Sequence, residues 1–107
     1  MSRSPDDQAR DPIDPEALAR LVSLFLEHTP KTQSELHAGW QDRDLTAVSR
    51  AAHALKSSAG NFGARRLVEL AGQVERQADD GRDESLEAQV AELDAELVRV
   101  RDRLQEL

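Results

Sequence analysis

A chain of 107 residues with a formal charge of −7 suits one small domain with a modest core. It has no cysteine, which excludes a disulfide framework and a thiolate metal site, and its acidic balance and three aromatic residues exclude a general nucleic-acid binder. No apolar run approaches membrane-spanning length and the polar N-terminus carries no signal-peptide core, so a soluble, cytoplasmic protein without membrane contact is expected.

Residues 1–13 are rich in Ser, Asp, Arg and Pro without any period, and are expected to form a flexible leader. The domain proper is expected over residues 14–107. Asp14-Pro15 supplies an N-cap acceptor followed by proline at the first helical position. Leu18, Leu21, Val22 and Phe25 then repeat at helical spacing to about His28. Thr29-Pro30 either starts a second helix, anchored by Leu36 and Trp40, or kinks the first. Asp42-Arg43-Asp44 reads as a turn, with Asp44 capping the next helix.

In that helix Leu45, Val48, Ala52, Leu55, Ala59 and Phe62 form a stripe at alternating three and four spacing. It ends near Phe62, where Gly63 can take the left-handed conformation at C′. Leu67, Leu70, Ala71, Val74 and Ala78 face inward from the following helix, which Asp79-Asp80-Gly81 stops. A last helix from about Ser85 carries Leu86, Val90, Leu93, Leu97, Val100 and Leu104. No segment alternates with period two. Short connections between amphipathic helices predict an all-α fold, an antiparallel up-and-down four-helix bundle with a short additional helix at its N-terminal side.

At about 100° per residue, His53 lies roughly 140° from the centre of its helix's apolar stripe and so faces water. Ser49, Arg50, Lys56, Ser57 and Gly60 share that side and are small or basic. The run Ala51-Ala52-His53-Ala54-Leu55-Lys56-Ser57-Ser58, closed by Gly63-Ala64, resembles the histidine phosphotransfer (HPt) domain family. That family's pattern places leucine two and lysine three residues after the histidine, with a helix-ending glycine beyond. The resemblance extends from about Asp14 to the C-terminus. One position departs from it: Ser57 stands where the family most often has glycine.

Level residues across the Gly63 turn can be paired by rise. His53 lies ten residues before the turn and Glu75 twelve after it, roughly 15 and 18 Å away in an antiparallel hairpin. A carboxylate there that accepts from Nδ1–H would leave the Nε2 lone pair outward, as a nucleophilic histidine requires; the plain alternative is a solvated surface glutamate. In the HPt family a Glu or Gln at this spacing plays that part, so the resemblance supports the assignment. Lys56, one of two lysines against twelve arginines, is placed to neutralise phosphoryl oxygens one turn from His53, or else is an ordinary surface lysine. Ser49, Arg50, Ala54, Ser57, Gly60, Arg65 and Val68 are the expected docking face, with Arg66 on its rim. His28 reads as a cation near a helix end and His37 as a surface residue, and the histidine spacing supports no metal site.

The resemblance implies a phosphorelay carrier, not a stand-alone enzyme. His53 would take a phosphoryl group from a receiver-domain aspartyl phosphate and pass it to another receiver aspartate. The implied partners are response-regulator receiver domains and a hybrid sensor histidine kinase, with the chain itself a monomer. It would need no cofactor of its own, Mg²⁺ belonging to the receiver. The rival is a non-catalytic helical adaptor that dimerises as a coiled coil through Leu86 to Leu104. A hydrolase with His53 as base lacks a convincing nucleophile.

Overall fold

The computed structural model describes residues 14–106, so the expected leader at residues 1–13 lies outside the described residues. Four helices are present among them: α1 (Pro15–Gln41), α2 (Leu45–Gly60), α3 (Arg65–Asp79) and α4 (Leu86–Gln105). There is no strand among the described residues, and the all-α expectation holds.

Helix α1 starts where the cap residues predict, with the Asp14 carboxylate accepting from the Glu16 N–H at 3.2 Å. It then runs through Pro30 without a break. The Thr29-Pro30 step is therefore a continuation, and the separate short helix allowed by the sequence is part of one rod about 40 Å long. Proline removes one backbone donor at this point. The Thr29 hydroxyl, buried on the core side, donates to the Phe25 carbonyl one turn back. His28, expected near a helix end, consequently sits mid-helix.

The three turns end their helices in the same way. Ala64 N–H bonds back to Ala59 O at 3.2 Å and Gly63 N–H to Gly60 O at 3.2 Å, with Gly63 at φ 65°. Gly63 is left-handed at C′ as anticipated, and the two bonds complete a Schellman arrangement. Gly81, at φ 70°, closes α3 likewise, through Arg82 N–H to Gln77 O and Gly81 N–H to Ala78 O, both 3.0 Å. At the end of α1 the left-handed residue is Arg43, at φ 55°. A side chain there costs about 1–2 kcal/mol. Its guanidinium lies over the Trp40 ring, 3.8 Å from the centroid, and donates to the Trp40 carbonyl at 2.6 Å, which offsets the strain.

Side-chain pairs fix the register. Ser49 meets Asp79 and His53 meets Glu75, so advancing four residues along α2 retreats four along α3; these helices are antiparallel. Helices α1 and α2 pair with the same sense. Phe25 packs edge-on against Phe62 with ring centroids 5.3 Å apart, while at the other end Gly39 lies against Ala47 and Val48. A Cβ on Gly39 would come within 3.0 Å of Ala47 Cβ, so the missing side chain permits the close approach of the two helices. Helix α4 covers α3 and reaches α1 through Asp94, which accepts from Gln33 Nε2 at 2.9 Å and pairs with His37 Nε2 at 2.8 Å.

The apolar stripes meet in one core. Val48, Ala52, Leu55 and Ala59 of α2, Leu67, Leu70, Ala71, Val74 and Ala78 of α3, and Leu86, Val90, Leu93, Leu97 and Val100 of α4 are all buried. Glu96 is the buried charge, paired with Arg99 at 3.0 Å and Arg103 at 3.4 Å. The α4 stripe that a coiled-coil dimer would need is thus consumed within the chain.

Gly63→Ala introduces a Cβ that meets no neighbour, so its cost is conformational alone: a loss of about 1 kcal/mol, seen as a lower urea midpoint with unchanged slope. Gly60→Ala, in open space on a helical backbone, is expected to be neutral or to stabilise by up to about 1 kcal/mol in the same measurement.

Candidate functional site

His53 projects from the face of α2 opposite the core, and its side chain is 61% exposed. The reason is local: Ala52 and Leu55 on either side of it point inward, and the helix turn carries the intervening position out to solvent. Ala54, Ser57, Gly60 and Arg50 are exposed on α2 as expected. A Cβ added to Gly60 would touch nothing within 4 Å, so no internal packing demands a glycine there.

Glu75 reaches His53 across the helix pair, its Oε2 2.8 Å from Nδ1. Its other oxygen accepts from Lys56 Nζ at 2.6 Å. The Lys56 hydrogen bond, with a smaller contribution from His53, holds the Glu75 carboxyl below its ordinary range against the opposing effect of burial. An ionised carboxylate can only accept. The 2.8 Å contact therefore requires the proton on Nδ1, and Nε2 of the neutral ring carries its lone pair toward water. The side chain of Glu75 is only 17% exposed, and its two partners on α2, one turn apart, hold both of its oxygens.

The other expected site residues are distributed less tightly. Lys56 is engaged with Glu75, so its charge is already partly committed. The Ser49 hydroxyl donates to Asp79 Oδ1 at 2.5 Å, which ties α2 to α3 one turn below His53 and occupies that donor. Val68 is half-buried and, by the same register, level with Gly60, whereas Arg65 is exposed beside the Gly63 turn. Arg65 therefore sits roughly 15 Å along the rod from His53.

Several residues escaped the sequence reading. Gly72, buried on α3, leaves the space through which Lys56 passes, since a Cβ there would lie 3.7 Å from Lys56 Cδ and 3.3 Å from Arg76 Nη1. The glycine was visible, but nothing in the sequence says what crosses it. His37, read as a surface residue, is 45% exposed and pairs with Asp94. Its pairing engages Nε2, and its carboxylate also holds Gln33, so the group bridges α1 and α4. Among the described residues no group of three or more His, Asp or Glu side chains is arranged to hold a metal ion. No helix among them is long and apolar enough to cross a membrane.

The family model of the Hpt domain matches residues 20–107, most of the chain. The chain belongs to the Hpt domain family. Hpt domains are histidine phosphotransfer carriers of two-component phosphorelays; proteins of this family are phosphocarriers rather than enzymes and work with receiver domains and histidine kinases. Among solved structures, the histidine-containing phosphotransfer protein B (HptB) of Pseudomonas aeruginosa PAO1 shares its fold, with a TM-score of 0.77 and 24% sequence identity. The match covers 88% of this chain and 91% of that one. No curated protein matches the sequence.

The site geometry has two measurable consequences. In ¹⁵N spectra His53 should populate the Nδ1–H tautomer, and Glu75→Ala should shift the population toward the Nε2–H form that predominates in free imidazole side chains; an unchanged tautomer would mean that Glu75 does not set it. Because the Glu75 carboxyl is held low in the folded chain, its contribution to stability is complete above the ordinary value of 4.5 and is lost as pH falls through the lowered one. Stability of the native chain should therefore fall more steeply with acid below about pH 4.5 than that of Glu75→Gln, in denaturant titrations at a series of pH values.

Proposed function

We propose that His53 is the phosphoacceptor of this Hpt domain, taking a phosphoryl group from the aspartyl phosphate of one receiver domain and giving it to the aspartate of another. The observation that carries this reading is the pairing of an exposed imidazole with a half-buried carboxylate at Nδ1, 2.8 Å apart. In the forward step the Nε2 lone pair attacks phosphorus in line, the N–P bond forms, and the acyl P–O bond breaks to release the receiver carboxylate. No proton need move. The ring gains positive character as its lone pair is used, and the Nδ1–H···Oε2 contact to an anion favours that form. The return step reverses each bond change.

Phosphoryl transfer depends more on alignment and charge neutralisation than on acid–base work. Glu75 supplies alignment by fixing the ring plane and tautomer. Lys56, on the same helix one turn away, supplies positive charge for phosphoryl oxygens. Magnesium held by the receiver's own carboxylates supplies the rest, and this chain requires no cofactor. The small exposed residues Ala54, Ser57 and Gly60 leave room for a receiver to bring its aspartate within bonding distance, while Arg50, Arg65 and Arg66 form a charged rim that sets partner choice and association rate more than affinity. Val68 contributes an apolar contact beside Gly60. The reading includes a hybrid sensor kinase upstream, a cytoplasmic monomer, and no kinase activity in the chain itself. The coiled-coil adaptor gains no support, because Leu93 and Leu97 are fully buried in the chain's own core.

Incubation with a radiolabelled phospho-receiver should yield an acid-labile adduct on the native chain and none on His53→Gln, with helicity unchanged because the lost side chain is exposed. Label retained by His53→Gln would place the acceptor elsewhere. Glu75→Ala should slow transfer about tenfold or more, the loss of one hydrogen bond to a charged group, with the fold intact by circular dichroism.

A further inference from the structure

Gly72 lies in the interior of α3, where glycine is about 1 kcal/mol less favourable than alanine. Its side-chain space is filled from two directions. Lys56 crosses from α2, and Arg76 folds back one turn along α3, both within 4 Å of the point where a Cβ would stand. Arg76 belongs to the last turn of its helix, where a cation ordinarily serves the free carbonyls. Its guanidinium points the other way, toward the N-terminal side. Residues 72 and 75 are neighbours on one helix face, so the guanidinium shares the Gly72 notch with the Lys56 stem, which crosses it to reach Glu75. Among the described residues Arg76 makes no ion pair of its own.

A single ammonium has two anions to serve at this site. Lys56 Nζ sits 2.6 Å from Glu75 Oε1, on the Nδ1 side of the imidazole, whereas a phosphoryl group would sit on the Nε2 side. If Lys56 turns to the phosphoryl oxygens, Glu75 is left half-buried with one oxygen bare, facing new negative charge. Both effects favour protonation of the carboxyl. A protonated Glu75 is a weaker acceptor for Nδ1–H at the moment the ring is most positive.

We propose that Arg76 is the reserve counter-ion of Glu75, a positioning residue that takes Oε1 when Lys56 leaves it and so keeps the carboxylate on Nδ1–H through the phosphorylated state. The trigger rests on His53 being the phosphoacceptor; the exchange itself does not. Gly72 is what lets the two cations lie side by side.

The exchange is tested without any phosphoryl group by removing Lys56. In Lys56→Gln, Arg76 should occupy the vacated oxygen, so Glu75 titrates close to its native midpoint by ¹³C NMR and His53 keeps the Nδ1–H tautomer. Adding Arg76→Gln should raise the proton affinity of Glu75 about tenfold and mix the tautomers, whereas Lys56→Gln/Arg76→Lys should keep part of the effect. Arg76→Gln alone should change neither reading. Indistinguishable titrations in Lys56→Gln and Lys56→Gln/Arg76→Gln would overturn the proposal, as would an effect of Arg76→Gln alone as large as that of the double variant. A second arm phosphorylates the chain with phosphoramidate as a small donor: Glu75 should stay ionised in the native phosphorylated chain and titrate about tenfold more readily in Arg76→Gln. Absence of label on His53 in the native chain would sink the carrier reading and its trigger, while the Lys56→Gln pair decides the counter-ion independently.

Discussion

The site depends on one carboxylate held between two side chains of the neighbouring helix. Glu75 accepts from His53 with one oxygen and from Lys56 with the other, at 2.8 and 2.6 Å. A histidine alone on a helix surface exchanges its proton between two nitrogens and rotates freely. Anchored at Nδ1 it presents a single nitrogen in a single direction. Lys56 keeps the anchor ionised, so it acts on the imidazole through Glu75 before any contact of its own with a phosphoryl group.

That contact exists only because α2 and α3 are in one register. Residues 22 apart in sequence meet because the turn between them is tightly specified, by Gly63 in the left-handed conformation and by the pair of backbone bonds that close α2. Ser49 and Asp79 repeat the cross-link one turn further from the turn. Below them Leu55, Ala59, Leu67, Leu70 and Val74 lock the two helices into the core, so a slip would cost buried apolar contacts as well as polar ones. Helices α1 and α4 complete that core and leave the outer face of α2 clear.

The two carboxylate-paired histidines show how far surroundings decide chemistry. His37 binds Asp94 through Nε2, and the same carboxylate also accepts from Gln33, so this pair ties the outer helices together. His53 binds through Nδ1, stands among small side chains, and has a lysine on the far oxygen of its partner. A histidine and a carboxylate at 2.8 Å describe both. What separates them is which nitrogen is left free and what surrounds it.

By itself the amino-acid sequence determined the helical class, the stripes of all three later helices, the Asp14 and Asp44 caps, the left-handed Gly63 and the outward face of His53. Each depends on residues close together in the chain, where a 3.6-residue period or a cap leaves a local signal. The level of Glu75 with His53 was legible too, because a short turn converts sequence distance into height along a rod. The packed structure alone decided how side chains of different helices share space. It joined α1 through Pro30, committed Lys56 and Ser49 to partners on α3, gave His37 a carboxylate 57 residues away, and set Arg76 beside Lys56 over Gly72. Those outcomes turn on distances of a few ångströms between residues remote in sequence, and no periodicity along one chain carries them.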